Sequence, residues 1–471
     1  MKIKPRLSRG LRDLLPQTML ARQRVIDTVR RVYETYGFAP LETPAIEYLD
    51  VLSGSAGEEA QHSIFRVTNP EDEDLGLRFD LTVPLARVVS QHRQIPFPFK
   101  RYQVSQVWRA DKPDPGRFRQ FTQFDIDTVG APCGTADTEI LAAICDCLEA
   151  IGAGPYSVRF SSREILNLLL QHAGIPADLG KDVFRVLDKL EKVGWKRVRS
   201  ELTTGYVDPS GDPIRGLGLQ DAQVGAIEEF LEISNPDRRA VVGRLRDLFS
   251  DVDGSGARLD TVESISEDLE TLGYGSDRVV LDVSIARGLA YYTGPVFEAV
   301  LEDAPQFGSV FGGGRYDGLV ARFGGQRIPA TGASLGVDRL LAAMEHLGRC
   351  GSEQTPAQVL VTVMDKNLRG ECLELAFELR RAGVRTEIHS GSGRLGKQLK
   401  RADRLKIPYA ILIGEDELAR GVVTLKQMSV ASSAGTHLTD HRAWKAARFG
   451  QIEIPRSETV TRLRELLQAG G

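Results

Sequence analysis

Five segments of this chain hold residues of the types that bind a phosphate ester or a small polar ligand. The longest runs Lys100-Arg-Tyr-Gln-Val-Ser-Gln-Val-Trp-Arg109, crosses Ala110 to Gly116, and returns through Arg117-Phe-Arg-Gln-Phe-Thr-Gln123-Phe-Asp-Ile-Asp127. Guanidinium forks match the oxygens of a phosphate and never deprotonate, so arginines at this density suit a polyanion. Taken alone, such a run is more often a solvated two-stranded face with surface ion pairs. A second segment, Arg287-Gly-Leu-Ala-Tyr291-Tyr292-Thr-Gly, sets an arginine beside two tyrosines. Packing of a Tyr pair on a sheet accounts for the rings but not for an arginine bounded by glycine. A third, Phe311-Gly-Gly-Gly-Arg-Tyr316-Asp-Gly318, would let backbone approach a ligand closely, although glycine runs usually mark turns. A fourth, Gly332-Ala-Ser-Leu-Gly-Val-Asp-Arg339, carries an arginine into an apolar helical pattern, and Asp80 and Thr82 lie in Leu77-Arg-Phe-Asp-Leu-Thr82.

The surrounding pattern says what must hold these residues. Leu20, Val25, Val29, Val32 and Tyr33 fall near helical spacing over 19–36, with Gly37 as the stop and an extended segment over 38–44. Alternation over 99–129 predicts an antiparallel hairpin with a long basic tip. Residues 137–150 and 163–173 read as helices, 165–275 as a charged, helix-rich insertion, and strands return at 279–283 and 296–301. Residues 318–322 look helical, and 337–346 form another helix. A linker rich in Gly, Ser, Gln and Pro over 348–356 precedes alternating strands (359–363, 410–413) and helices (371–381, 395–405), the order of a small α/β domain. The expected domains are a core of 1–164 and 276–347, the insertion, the linker, an α/β domain of 357–450 and a C-terminal tail of 451–471. Within the α/β domain, Gly391-Ser-Gly-Arg-Leu-Gly-Lys397-Gln398 imitates a nucleotide-binding P-loop, but Gln398 stands where that loop needs Ser or Thr for magnesium.

Composition bounds these readings. With 471 residues, 42% hydrophobic and 26% charged, the chain can fill two or three cores. No apolar stretch reaches the ~20 residues of a membrane span, so a cytoplasmic, membrane-free protein is expected. Cys133, Cys145, Cys147, Cys350 and Cys372 show neither disulfide nor zinc spacing, and no protein-bound metal is expected. The net charge of −4 hides an asymmetry: residues 357–450 hold 16 Lys/Arg against 10 Asp/Glu, a net +6 that leaves −10 on the remainder. That segment suits a polyanionic partner.

Together these segments resemble the class II aminoacyl-tRNA synthetases, and closely the histidyl-tRNA synthetases. The 100–127 hairpin resembles motif 2, Gly332 to Arg339 motif 3, and Arg287 to Gly294 and Phe311 to Gly318 the two histidine-specific peptides. Arg9 to Pro16 and Gly37 to Pro44 resemble the N-terminal peptide and motif 1, the dimer-forming element. The resemblance implies an α+β fold: an antiparallel sheet flanked by helices, a helix-rich insertion, and a C-terminal α/β anticodon-binding domain. It implies activation of L-histidine with ATP and transfer to tRNA-His by a homodimer, with Mg2+ bound through the ATP phosphates. Arg109 and Arg287 would be catalytic, gripping the α-phosphate, with Arg117 and Arg339 on the rest of ATP. Asp80, Thr82, Gln123, Asp127, Tyr291, Tyr292 and Tyr316 would bind histidine, Asp127 and Tyr292 reading the donor and acceptor of the neutral ring. Lys112 at the hairpin tip, and Arg394, Lys397, Lys400 and Arg401, would meet the tRNA. The chain departs from the common pattern at Ala290, where the family usually has Asp, and at Asp80, where many bacterial members have Glu. The alternative is the catalytically silent, histidine-binding regulatory paralogue of histidine biosynthesis. It typically lacks the anticodon domain and the signature arginine, whereas this chain has residues 357–450 and Arg287.

Overall fold

The structure is a computed structural model that describes residues 3–53, 63–114, 116–208, 211–286, 292–351, 353–391, 394–428 and 450–469. Arg287, Ala290 and Tyr291 lie outside the described residues. The chain forms two compact units, residues 1–13 with 22–350 and residues 14–21 with 351–471.

In the first unit, strand β1 (Ala39–Pro40) borders the main sheet, and β2 (Ile46–Tyr48), β3 (Arg66–Val67) and β4 (Leu75–Leu77) make a small antiparallel sheet in the order β2-β4-β3. The expected hairpin is present as β5 (Phe99–Trp108) and β6 (Gln120–Val129), antiparallel over ten residue pairs. Next come β7 (Tyr156–Ser162), a two-stranded hairpin of β8 (Gly205–Val207) and β9 (Pro213–Arg215), β10 (Val279–Leu281), β11 (Pro295–Leu301), β12 (Phe311–Arg315) and β13 (Ala330–Gly336). Eight of these strands form one sheet, ordered β1-β5-β6-β13-β12-β11-β7-β10, antiparallel inside and parallel only at its two edges.

Period-two alternation decides the faces of that sheet. Phe124 and Ile126 of β6 are fully buried on one face, where Phe124 meets Tyr33 of the helix Pro16–Thr35 edge-on at 5.0 Å. This helix begins three residues before the expected start, because proline is tolerated in a first turn whose N–H groups lack partners anyway. The helix Thr135–Ile151 also belongs to this core and buries Ile140, Leu141, Ile144 and Leu148. The opposite face of β6 carries Gln123, Asp125 and Asp127.

The glycine run 312–314, which taken alone could have been a turn, is part of β12, inside the sheet between β11 and β13. A Cβ on Gly313 would lie 2.2 Å from the Gly332 carbonyl, so only glycine permits this close pairing. The helix-like 318–322 reduces to a single turn, Ala321–Gly324, ended by Gly325 at positive φ. Between β7 and β10 the charged segment folds as helices, among them Arg163–His172, Asp221–Leu231, Arg238–Leu248 and Ser255–Thr271. Arg238 anchors them to the sheet: its buried guanidinium donates to the Val279 carbonyl at 2.7 Å and to that of Tyr274 at 3.0 Å.

The second unit is a five-stranded sheet, β15-β14-β16-β17-β18. Here β14 (Val359–Val361) lies parallel between β15 (Thr386–Ile388) and β16 (Tyr409–Leu412), and β17 (Val422–Gln427) and β18 (Gln451–Pro455) continue antiparallel. Residues 451–471, read above as a tail, thus contain the edge strand β18 and the helix Thr459–Ala469. Ile454 and Leu463 enter the same core as Val359, Leu375 and Ile411, and Arg456 pairs with Glu378 at 2.7 Å. Among the described residues no helix is long and apolar enough to cross a membrane.

Candidate active site

The polar face of the main sheet is the floor of a cleft of about 860 Å³. Its geometry follows from register. Arg101, Gln103 and Ser105 of β5 stand opposite Asp127, Asp125 and Gln123 of β6, which stand opposite Gly332, Ser334 and Gly336 of β13. Three polar rungs therefore cross three strands, and the first two continue to Gly314 and Gly312 of β12. Gly332 is required here, since a Cβ on it would lie 2.1 Å from Asp127 Oδ1.

Charge on this floor is buried and paired. Arg101 is fully buried; its Nη2 lies 2.7 Å from Asp127 Oδ2 and 3.1 Å from the Leu81 carbonyl. Tyr316 donates its hydroxyl to Asp127 Oδ1. Gln123 Nε2 donates to Ser334 Oγ at 2.7 Å. Burial pushes the Asp125 carboxyl up to about 7 and that of Asp127 up to about 6, with Arg101 opposing both. Asp80 is raised by the same desolvation, opposed by the Val83 N–H, which it accepts at 3.1 Å, and by Arg109 and Arg101. Asp125 Oδ1 and Gln123 Oε1 are buried with no hydrogen-bond partner among the described residues. A floor with such acceptors fits a ligand rich in N–H donors.

The other part of the cleft wall is cationic. Arg109, just past β5, donates Nε to the Phe79 carbonyl at 2.9 Å and lies 5.3 Å over the Phe121 ring. Arg117 is half exposed and pairs with Asp111 at 2.6 Å; Asp111 in turn accepts from Ser63 at 2.9 Å. Arg339, in the first turn of the helix Val337–His346, donates to the Ser309 carbonyl at 2.7 Å. Its neighbour Asp338 accepts from the Thr122 N–H and from Arg12, both at 2.6 Å, and Arg12 stacks 3.6 Å over Phe118 of the hairpin tip. Arg119 N–H donates to the Gly10 carbonyl at 3.0 Å. Residues 10–12 thus brace the tip from outside the cleft.

Asp80, Thr82, Arg109, Lys112, Arg117, Gln123, Asp127, Tyr292, Tyr316 and Arg339 all line this one cleft, Lys112 included although its expected partner was RNA. Arg287 and Tyr291 lie outside the described residues. Arg394, Lys397, Lys400 and Arg401 lie in the second unit, at the start of or along the helix Leu395–Arg404, and are exposed. Lys397, Lys400 and Arg401 share a face by their three- and four-residue spacing. Arg401 pairs with Glu387 at 2.9 Å. Gln398 on the same helix is fully buried and bonds the Val363 N–H at 3.0 Å and carbonyl at 2.7 Å, a structural anchor where a P-loop would have its magnesium ligand. Three residues escaped the sequence reading: Arg101, Asp125 and Ser334. The signal for Asp125 was the i, i+2, i+4 spacing of Gln123, Asp125 and Asp127 on a strand. Among the described residues no three His, Cys, Asp or Glu side chains converge as a metal site.

Comparison with known proteins agrees in extent with this architecture. A family model described as histidyl-tRNA synthetase matches residues 10–340, and one described as an anticodon binding domain matches 358–466. A histidine–tRNA ligase of Cereibacter sphaeroides is 43% identical, covering 98% of this chain and 97% of that protein. The crystal structure of histidyl-tRNA synthetase from Nostoc sp. PCC 7120 superposes with a TM-score of 0.83 at 31% identity, over 98% of this chain and 100% of that one. A Bacillus halodurans structure described as an ATP phosphoribosyltransferase regulatory subunit/histidyl-tRNA synthetase has a TM-score of 0.69 at 23% identity, over 84% of this chain and 97% of that one, a likeness of fold.

Proposed function

Since the chain belongs to the histidyl-tRNA synthetase family and charges tRNA-His with histidine, we propose that the cleft over β6, β12 and β13 carries out both halves of that reaction. In the first half, a histidine carboxylate oxygen attacks the α-phosphorus of ATP, the bond to the β-phosphate oxygen breaks, and pyrophosphate leaves. In the second, a hydroxyl of the terminal tRNA ribose attacks the histidyl carbonyl carbon and expels AMP. Negative charge grows on the α-phosphate oxygens during the first step, and preorganised guanidiniums stabilise it there. Arg109 and Arg287 take that role, with Arg117 and Arg339 on the outer phosphates.

Asp80, Thr82 and Gln123 hold the α-ammonium group, and Asp127, Tyr291, Tyr292 and Tyr316 surround the ring. Mg2+ bound through the ATP phosphates would neutralise part of their charge, and Asp111 and Glu298, which line the cleft, are the carboxylates that would face it. The observation that carries this reading is the division of a single cleft into an acceptor-rich floor and an arginine-rich wall.

The exposed Lys397, Lys400, Arg401 face and Arg394 contact the tRNA backbone in the anticodon region, and Lys112 approaches the acceptor end. A homodimer formed through residues 37–44, working in the cytoplasm, completes the proposal. Pyrophosphate exchange across a panel of amino acids tests it: exchange should require histidine and vanish in Arg287→Ala with the fold intact. Undiminished exchange in that variant removes Arg287 from the mechanism, and exchange driven equally by another amino acid removes histidine. Replacing Lys397 and Lys400 by Glu should raise the KM for tRNA and leave exchange unchanged.

A further inference from the structure

The segment Phe311-Gly-Gly-Gly-Arg-Tyr-Asp-Gly318 carries an arginine that the reaction above does not use. Arg315 closes β12 and is 2% exposed. Each of its five N–H groups meets an acceptor of the protein itself. Nε and Nη2 grip the Asp137 carboxylate at 3.2 and 2.7 Å, and Nη2 also donates to the Pro132 carbonyl at 3.0 Å. Nη1 donates to the Ala131 carbonyl at 3.1 Å and to Asp317 Oδ1 at 3.2 Å. No donor is left over for a phosphate. Asp137 is fully buried in the first turn of the helix Thr135–Ile151 and accepts the Gly134 N–H at 2.9 Å, which roots the cation in the core.

What Arg315 ties down belongs to the cleft. Asp317 donates its N–H to Thr293 Oγ1 at 3.1 Å, and its Oδ1 accepts the Ala330 N–H at 3.3 Å; Thr293 in turn donates its N–H to the Arg315 carbonyl at 2.7 Å. Thr293 follows Tyr292, Tyr316 stands between Arg315 and Asp317, and both tyrosines line the cleft. The Tyr292 ring lies so close to β12 that a Cβ on Gly314 would be 3.0 Å from it. Resting on the reading of this cleft as the histidine site, we propose that Arg315 is a positioning residue of that site. By drawing Asp317, and through it Thr293, against the core, it sets where the Tyr316 and Tyr292 rings stand around the substrate. A binding group displaced by about 1 Å costs up to about 100-fold, so the lever is large.

The test uses the full-length protein and histidine-dependent pyrophosphate exchange. Arg315→Lys can still neutralise Asp137, but a single ammonium cannot span Asp137, Asp317 and two carbonyls. It should raise the KM for histidine about 10- to 100-fold and leave the KM for ATP within about threefold, since Arg109 and Arg339 bond to Phe79 and Ser309 instead. Asp317→Ala severs the link without exposing Asp137, so it carries the same test if the lysine variant does not fold; a rise of about three- to tenfold in the histidine KM is expected. Tyr316→Phe removes the hydroxyl that Asp127 accepts and should raise the histidine KM about tenfold by itself. Independent effects multiply, whereas a ring already displaced has little left to lose. Tyr316→Phe added to Arg315→Lys or to Asp317→Ala should therefore raise the histidine KM by no more than about twofold over the larger single effect, a shortfall that general loosening of the fold does not produce. The role is overturned if neither Arg315→Lys nor Asp317→Ala moves the histidine KM, if the KM values for histidine and ATP rise together, or if the effects multiply with that of Tyr316→Phe. If Tyr316→Phe alone leaves the histidine KM unchanged, the reading of the cleft fails and this role with it.

Discussion

Replacing Arg101 by Met makes the energetics of the floor measurable through pH. In the native protein Arg101 is the buried cation between Asp127 and the Leu81 carbonyl, and it opposes the desolvation that raises both Asp125 and Asp127. A carboxyl held above its unfolded value of about 3.9 stabilises the fold at low pH, and that contribution is lost as pH rises through its folded value. For this pair the loss spans the interval from about 4 up to about 6 for Asp127 and about 7 for Asp125. Methionine removes the opposing charge, raises both carboxyls further and steepens the loss. At pH 8 the variant must either bury uncompensated carboxylate or keep protons against the solution, a cost of about 3–5 kcal/mol. At pH 5 both carboxyls are protonated in either protein, and the remaining cost is about 1 kcal/mol for the lost bond to Leu81. Urea unfolding followed by tryptophan fluorescence reads this, because two of the three tryptophans, Trp108 and Trp195, lie in the first unit. The expected result is a midpoint far below wild type at pH 8 and close to it at pH 5. Equal losses at the two pH values, or a larger one at pH 5, would refute the assignment of Arg101 as counter-ion.

Three further outcomes follow from contacts described above. Arg12→Ala removes the 2.6 Å pair with Asp338 and the stack on Phe118, so the KM for ATP should rise about tenfold while that for histidine stays within twofold, as read by exchange kinetics. Gly332→Ala sets a methyl 2.1 Å from Asp127 Oδ1; urea unfolding should show a loss of about 1–3 kcal/mol, and histidine-dependent exchange should fall by more than stability explains. Gln398→Leu strands the Val363 N–H and carbonyl, so it should lower the melting temperature of the second unit and raise the KM for tRNA without touching pyrophosphate exchange.

The β5–β6 hairpin was legible because alternation and a charged tip are local signals, and two of its arginines, Arg109 and Arg117, do line one cleft. What stayed hidden depends on partners remote in sequence. Arg101 reads as one more charge on a basic strand until β6 brings Asp127 against it, and Asp125 gains meaning only when Ser334 arrives from β13. Strand β12 was not legible as a strand because glycine has no strand propensity; the reason for Gly313 is the Gly332 carbonyl beside its α-carbon. Strand β18 was missed because Gln-Ile-Glu-Ile-Pro is too short for a period to register, and its assignment rests on pairing with β17. The helix Pro16–Thr35 was found but started late, since proline reads as a breaker before it reads as a first-turn residue.

The position of β18 in the chain has a consequence during synthesis. A ribosome makes β14 through β17 in sequence order, and the sheet then ends at β17 with its backbone N–H and C=O groups bare until Gln451–Pro455 emerges. A bare strand edge pairs with any extended segment nearby, including β17 of a second nascent chain on the same message. The last twenty or so residues therefore close the edge against aggregation as well as completing the core, and a premature stop in this stretch should yield inclusion bodies rather than a soluble shortened protein.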